Sequence, residues 1–319
     1  MRPGPRGLQQ TMGPVEWGLL FLLDLVWGGS FFFAKIALGE WPPLMVVLGR
    51  VGFGALLLNG VVLTTGQRMP ANWRLWKALI VMGLLNSVIP FCLIAWGQRD
   101  VSSGLASILY ATTSLFTVLL APLFVRDETL TPRRILGVLT GLLGVAIMLG
   151  PGLLADAGSA TLAKLAILGA ALSYACGSIW GRRFRDVPPS IAAAGQLTVA
   201  ALVVAPLALL IDRPWTFPRP SMPVIGSIAG LALLSTTVGY LLYFTLLGRA
   251  GAVNLSLVTL LVPPSALVLG TLLLAEPLEP RDLLGLGCVA IGLVVIDGRL
   301  PRWLWNRLQS ERAATGSSG

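Results

Sequence analysis

The sequence predicts an all-α integral membrane protein, with ten transmembrane helices built as two inverted five-helix repeats. Three features lead to this prediction: the composition, the spacing of the apolar segments and a similarity between the two halves of the chain. Strongly apolar residues make up 55% of the 319 residues and charged residues only 12%, whereas soluble domains carry about 25% charged residues. The composition therefore excludes an ordinary soluble globular protein.

Apolar segments long enough to cross a bilayer recur along the chain. A helix crosses the roughly 30 Å hydrocarbon core with about 20 apolar residues. The first segment follows Arg2 and Arg6, as the core of a signal peptide would, but it is longer than such a core and lacks a small-residue cleavage site. We therefore expect a retained helix there. The predicted spans are 15–36, 43–64, 75–97, 102–125, 132–150, 162–182, 190–211, 223–247, 252–275 and 280–297.

The second half of the chain repeats local patterns of the first half. The clearest match joins Glu128-x-Leu-x-Pro132-Arg133 to Glu276-x-Leu-x-Pro280-Arg281. Proline is favoured at the first position of a helix, where its missing amide would be unpaired anyway, so we expect a helix to begin at each of these two prolines. Five crossings per unit make the second unit enter from the opposite side, as in an inverted repeat. The predicted units are 1–150 and 151–298, followed by a C-terminal tail at 299–319.

The basic residues between the predicted spans are distributed unevenly. With a cytoplasmic N-terminus, most of the loop Lys and Arg residues face the cytoplasm; the exceptions are Arg99, Lys164, Arg213, Arg219 and Arg281. Cytoplasmic loops are enriched in Lys and Arg, so we expect a protein of the bacterial inner membrane with both termini in the cytoplasm. The net charge of +9 then reflects topology and contact with the anionic lipid bilayer, and we expect no nucleic-acid partner.

The composition also excludes several kinds of chemistry. The chain contains no His, and its three Cys residues each lie in an apolar run, so neither a zinc site, an imidazole base nor a disulfide framework is expected. A Gly-x-x-x-x-Gly-Lys-Ser/Thr phosphate-binding loop is missing, so ATP is not the evident energy source. We expect no metal, no cofactor and no catalytic residue.

Three groups of residues carry a family resemblance. They are the run Trp27 to Phe31 followed by Lys35, the run Leu48 to Arg50, and the Glu128 and Glu276 junctions with the glycine-rich helices after them. Over residues 15–297 the chain resembles the drug/metabolite transporter superfamily, specifically its ten-helix EamA-type exporters. The resemblance implies that the first, third, fourth, sixth, eighth and ninth helices surround a central cavity, with the fifth and tenth at the periphery. It also implies export of small metabolites, amino acids among them.

Asp24 is expected near the middle of the first helix, where an ionised carboxylate costs about 2.5–3.5 kcal/mol. Asp24, Gly28, Phe31 and Lys35 share one helical stripe, which we expect to face the bundle interior. Asp24 is a candidate for binding a substrate amine or for carrying a coupling proton. The alternative is a structural ion pair with Arg50. Arg50 is itself a candidate for attracting a carboxylate, but the family resemblance does not place the second helix around the cavity, so we expect a structural role for Arg50. Lys35 is expected to be an anchor at the outer headgroups.

Hydroxyl and aromatic residues also form stripes at helical spacing. Ser103, Ser107, Tyr110 and Ser114 make one such stripe, and shorter ones contain Tyr174 and Tyr240. These stripes predict either a cavity wall or the close packing of helices. The residues predicted to bind substrate are Asp24, Trp27, Asn86, Trp96, Tyr110, Ser114, Tyr174, Ser178, Tyr240, Tyr243 and Asn254.

Prolines interrupt predicted helices near the same level. Pro90 removes the amide partner of the Asn86 carbonyl. In the ninth predicted span, Pro263 and Pro264 likewise remove the amide partners of carbonyls four residues earlier. Freed carbonyls in hydrocarbon need new partners. We therefore assign these prolines as hinges, with static bends repaired by neighbouring helices as the alternative.

Taken together, these features predict a secondary transporter that exports small metabolites, with amino acids as the first candidates, by alternating access through a midplane cavity. Two alternatives stay open: a membrane enzyme acting on lipid or prenyl groups, and a membrane sensor that transports nothing. The expected partners are a small-molecule substrate and the bilayer. Gly137 and Gly141 permit close helix contact, so we expect a monomer or a weak homodimer.

Overall fold

The computed structural model describes residues 12–124, 130–150, 158–184, 186–255 and 257–297, all of them helical or in short connections without any β-strand. The predicted C-terminal tail and the Glu128 junction lie outside the described residues. The helices are α1 Pro14–Leu38, α2 Pro43–Thr64, α3 Trp73–Gly97, α4 Ser103–Phe124, α5 Pro132–Leu149, α6 Ser159–Phe184, α7 Pro189–Asp212, α8 Met222–Gly251, α9 Val258–Leu274 and α10 Pro280–Asp297.

Eight of these helices, α1 to α8, are long and apolar enough to cross a membrane. Helix α9 is apolar but has only 17 residues, and the 18 residues of α10 include Arg281, Asp282 and Asp297. A multi-pass membrane protein follows from the eight long helices. Crossing by α9 and α10, and therefore the number ten, remains a prediction.

Prolines mark the starts of several helices, as predicted for Pro132 and Pro280. Helices α5 and α10 begin at these two residues, and α1, α2 and α7 also begin with proline. The residue before Pro132 completes the start of α5, because the Thr131 hydroxyl accepts a hydrogen bond from the Arg134 amide at 3.3 Å. The local chemistry of the chain therefore sets these boundaries.

Glycines allow α5 and α10 to pack backbone against backbone. A Cβ added to Gly137 would lie 2.6 Å from the Gly292 carbonyl oxygen, and one added to Gly144 would lie 2.6 Å from the Gly285 carbonyl oxygen. A Cβ added to Gly141 would meet the side chain of Leu115 in α4, while the Gly141 backbone lies beside Gly292 of α10. The predicted small-residue stripe of α5 is therefore used inside this chain.

A neighbouring helix supplies a partner for the carbonyl that Pro90 leaves without an amide. Residues Leu84–Val88 form a π-helical turn in which the Ile89 amide bonds to the Leu84 carbonyl. In this i to i+5 register, the carbonyl that would bond to an amide at position 90 is that of Leu85. Pro90 has no amide hydrogen, so the Leu85 carbonyl loses its partner, and not the Asn86 carbonyl as expected. The Ser173 hydroxyl of α6 donates to the Leu85 oxygen at 2.7 Å. A hinge at Pro90 remains a prediction, and α9 continues as a helix through Pro263 and Pro264.

One carboxylate joins two loops outside the membrane-spanning helices. Glu40 follows α1, and its two oxygens accept from the hydroxyl of Ser221 at 2.5 Å and from the Ser221 amide at 3.0 Å, just before α8. These bonds, led by the one from the hydroxyl, lower the pKa of Glu40 below its ordinary 4.5. The contact therefore favours the ionised form of Glu40.

We expect Glu40→Gln to lower the melting temperature slightly at pH 7. A carboxyl group whose pKa is depressed in the folded state stabilises the fold above its unfolded pKa, and this stabilisation is lost as the pH falls through the lower folded value. The difference between the variant and the unmodified protein should therefore shrink in acid, below about pH 4. Thermal unfolding of both proteins at several pH values measures the difference in melting temperature. A difference that stays the same in acid would contradict a stabilising role of the ionised Glu40.

Candidate functional site

A cavity of about 850 Å³ lies between the helices. Residues of α1, α3, α4, α6, α8 and α9 line it, which are the six helices that the family resemblance implies. Helices α2 and α7 also contribute, and α10 contributes Leu293 and Ile296 at one end. Hydrogen-bonding and charged side chains in the lining are Trp27, Ser30, Arg50, Asn86, Tyr110, Thr113, Ser114, Thr117, Tyr174, Ser178, Gln196, Ser235, Tyr240, Tyr243 and Thr259.

Eight of the eleven residues predicted to bind substrate line this cavity. All four tyrosines of the chain are among them. The eight are Trp27, Asn86, Tyr110, Ser114, Tyr174, Ser178, Tyr240 and Tyr243.

The other three predicted residues are absent from the lining. Trp96 is 41% exposed on the outside of α3, and the Asn254 side-chain amide donates to the Ala250 carbonyl at 2.9 Å. Asp24 is buried, but it faces α9, where the Ser265 hydroxyl donates to its Oδ1 at 3.0 Å. The helical spacing of the stripe that contains Asp24 predicted the interior side of α1 correctly. At Asp24 this side contacts Ser265 of α9 and not the cavity.

Aromatic rings form much of the cavity wall. The rings of Trp27 and Tyr243 stack with their centroids 5.7 Å apart, which joins α1 to α8. Tyr110 contacts Tyr174 edge to face at 5.4 Å and also contacts Phe31 at 5.7 Å. Such ring pairs hold one another in place and offer flat, weakly polar surfaces to an apolar or aromatic group.

A network of amides and a phenol crosses the cavity. The side-chain amide of Gln196 donates to the Tyr240 oxygen at 2.7 Å, and the Asn86 amide donates to the Gln196 oxygen at 3.1 Å. The network therefore joins α3, α7 and α8. Sequence reasoning missed Gln196, which is 4% exposed. The available signal was an amide side chain inside an apolar span, which needs a partner in the bundle interior.

Arg50, for which the sequence predicts a structural role, also lies in the cavity wall. Its side chain lines the cavity; Nε donates to the Thr236 hydroxyl at 3.2 Å, and the guanidinium carbon lies 3.9 Å from the centre of the Phe91 ring. Within the described residues no ion pair joins Arg50 to Asp24, whose partner is Ser265. The alternative of a structural ion pair between Asp24 and Arg50 is therefore wrong, because the two side chains face different helices.

Hydrogen bonds join several helices at one end of the bundle, beyond Phe31. The Lys35 ammonium donates to the carbonyls of Gln98 at 2.6 Å and Val101 at 2.9 Å, so it caps the connection between α3 and α4. An anchor at the outer headgroups remains a prediction. The amide and hydroxyl of Ser103 donate to the Glu276 carboxylate at 2.9–3.1 Å. We call Lys35, Gln98, Ser103 and Glu276 the polar seal.

The cavity extends away from the polar seal. At the other end its lining includes Phe184, Val187 and Pro189, at the junction of α6 and α7. In the part of the chain that the structure describes, no group of three or more Cys, Asp or Glu side chains is placed to hold a metal ion. The chemistry offered by the site is binding by one cation, by amides and hydroxyls, and by aromatic faces.

Comparisons with known proteins agree on one family. The sequence profile described as the EamA-like transporter family matches residues 17–150 and 161–297. In Escherichia coli K12, the "Uncharacterized inner membrane transporter YedA" is 28% identical over 282 residues, covering 88% of this chain and 90% of the relative. The "Probable amino-acid metabolite efflux pump" of the same organism is 28% identical over 285 residues, covering 87% and 93%.

A solved structure supports the same fold. A crystal structure titled only "Crystal structure of protein" aligns with a TM-score of 0.62 at 20% identity, covering 88% of this chain and 97% of that one. At this identity the likeness concerns the fold alone. The profile match covers most of the chain, and eight helices can cross a membrane. This multi-pass membrane protein therefore belongs to the EamA-like transporter family.

Proposed function

We propose that the protein is a secondary transporter of the inner membrane that exports small metabolites, with amino acids as the first candidates. The observation that carries the proposal is the cavity of about 850 Å³, whose wall comes from helices of both halves of the chain. Its size falls within the range usual for small-molecule sites, roughly 300–1,000 Å³. The name of the E. coli efflux pump supports amino acids as the first substrates to test.

The contact between α5 and α10 supports the proposed inverted repeat. Alignment of the two halves pairs Gly137 with Gly285 and Gly144 with Gly292. In space, Gly137 meets Gly292 and Gly144 meets Gly285. This reciprocal pattern is what a two-fold axis between two equivalent units produces. The two segments matched by the family profile, one in each half, support the same duplication.

Two equivalent units around one cavity support alternating access as the proposed mechanism. The polar seal closes the bundle at one end, and the cavity extends to the other end, near Arg182 and Arg183. By the enrichment of basic residues in cytoplasmic loops, we assign that end to the cytoplasm. Substrate would shift the balance between inward-open and outward-open states only through a different affinity for each.

A counterflow screen in proteoliposomes tests the proposal. The candidate solutes are labelled amino acids, nucleosides, sugar phosphates and organic cations, and we expect saturable exchange of at least one amino acid. Ser114→Trp, which fills part of the cavity from α4, should reduce this exchange strongly. The matched control is Leu123→Trp on the exposed side of the same helix. Folded protein that exchanges none of these solutes would contradict the proposal.

The coupling ion is proposed to be a proton carried by Asp24. Its hydrogen bond to Ser265 joins α1 of the first half to α9 of the second, so uptake of a proton changes the charge at a contact between the two units. We expect Asp24→Asn to retain exchange but to lose its dependence on pH. Ser265→Ala keeps the carboxyl group and should keep the pH dependence. An Asp24→Asn protein with unchanged pH dependence would remove Asp24 from the coupling mechanism.

A further inference from the structure

Arg50 is the one charged residue among the described residues that line the cavity. A guanidinium group stays protonated in proteins and carries five N–H donors. The described contacts use Nε, which donates to Thr236, and the cationic face, which lies over Phe91. Within the described residues, the two terminal nitrogens have no hydrogen-bond partner and no carboxylate neutralises the charge.

The surroundings of Arg50 make an anion the natural missing partner. Arg50 is half-buried in the cavity wall, and a substrate that fills the cavity removes the remaining water from its charge, which is then stable only when it is paired and hydrogen-bonded. Phe91 contributes a cation–π contact, and Tyr110, Tyr174 and Tyr240 line the same cavity, but none of these carries a negative charge at neutral pH. An oxyanion from the substrate would supply the missing charge.

The chemistry of that oxyanion follows from the number of charges in the wall. One guanidinium matches one carboxylate, which it can bind through two parallel N–H···O bonds. A phosphate monoester carries up to two negative charges, and the described lining holds no second cation for it. The described lining also holds no Asp or Glu to pair with a substrate ammonium. Aromatic rings beside Arg50 fit an apolar or aromatic body.

We propose that Arg50 binds the carboxylate of the substrate, and that the cavity selects small monocarboxylates with an apolar or aromatic body. An amino group is tolerated but not required. The inference rests on the proposed transport function for its biological meaning. The recognition step itself is binding, and binding is measurable without transport.

Binding of four small ligands to the purified, detergent-solubilised protein tests the proposal. They are phenylalanine, 3-phenylpropionate, 2-phenylethylamine and phenyl phosphate, and isothermal titration calorimetry gives each Kd. We expect phenylalanine and 3-phenylpropionate to bind with similar affinity, and the amine and the phosphate to bind at least tenfold more weakly. An amine or a phosphate that binds as tightly as 3-phenylpropionate would overturn the proposal, as would the failure of both carboxylates to bind.

Substitutions identify the residue responsible. Arg50→Gln should weaken binding of both carboxylates at least tenfold without changing that of 2-phenylethylamine, and Arg50→Lys should retain part of the affinity. The matched control Arg99→Gln removes an exposed arginine outside the cavity. A folded Arg50→Gln protein that binds 3-phenylpropionate normally would overturn the proposal. Should that variant fail to fold, the ligand series on the unmodified protein still decides.

The two proposals fail in different ways. Selective binding of carboxylates without counterflow of any solute would contradict the transport function and support the role of Arg50. Saturable counterflow of organic cations, unaffected by Arg50→Gln, would contradict the role of Arg50 and support transport.

Discussion

Gly292→Leu is expected to separate α5 from α10 and to destabilise the protein severely. A Cβ at this position would lie 2.5 Å from the Gly137 carbonyl oxygen and 2.8 Å from the Gly141 amide nitrogen. Both obstacles are backbone atoms, which cannot rotate away as a flexible side chain can. Overpacking a tight contact costs about 1–3 kcal/mol and occasionally more, and we expect the upper end here. Thermal unfolding and the yield of folded protein measure the effect.

The same helix provides the control for this prediction. Gly287 lies on the exposed side of α10, and a Cβ placed there meets no atom within 4 Å. Gly287→Leu adds the same side chain to the same helix, so it should leave the melting temperature nearly unchanged. Equal stability of the two leucine variants would show that the close approach of α5 and α10 is unimportant for the fold.

Glu276→Ala is expected to open the polar seal. The substitution removes the acceptor of the Ser103 amide, in the first turn of α4, and one of the two acceptors of the Ser103 hydroxyl, which keeps the Phe31 carbonyl at 3.3 Å. A buried donor left without a partner costs about 1–3 kcal/mol. Glu276 follows α9, so its loss also releases a contact between the two halves of the chain. We expect a lower melting temperature and a larger population of protein open at this end.

Cysteine labelling measures the opening directly. Ser30 lies in the cavity lining close to the seal and is buried. In a background without the three native cysteines, Ser30→Cys should react with a membrane-impermeant thiol reagent faster when Glu276→Ala is also present. Glu279→Ala removes an exposed carboxylate from the same loop and should leave the rate unchanged. If Glu276→Ala changed neither the labelling rate nor the melting temperature, the seal would not be a closing contact.

The helices were predictable because their signals are local. Apolar runs located every described helix, and Pro132 and Pro280 marked two helix starts. Both signals depend on a residue and its near neighbours in the chain. The register of the π-helical turn before Pro90 was not predictable in this way. It depends on the Ser173 hydroxyl of another helix, which supplies the Leu85 carbonyl with a partner.

The cavity residues were predictable where a polar side chain lies inside the membrane, because few surroundings there offer it a hydrogen-bond partner or water. The four tyrosines need a polar partner or water for the phenol group, and all four line the cavity. Arg50 and Gln196 met the same criterion but were assigned a structural role or passed over. Asp24 met it too, and it found its partner in a helix contact with Ser265.

The sequence by itself determined a membrane protein of apolar helices, their approximate bounds and the interior side of helices such as α1. Hydropathy describes how a residue partitions between water and lipid, and periodicity shows which residues share one side of a helix. Both properties depend only on a residue and its neighbours in the chain. Only the tertiary structure decided which residues on the interior side of a helix pack against another helix and which line the cavity. Asp24 and Arg50 lie on neighbouring helices and are both charged, yet one contacts Ser265 and the other faces open space. That difference arises from packing among helices distant in the chain, which no local pattern encodes.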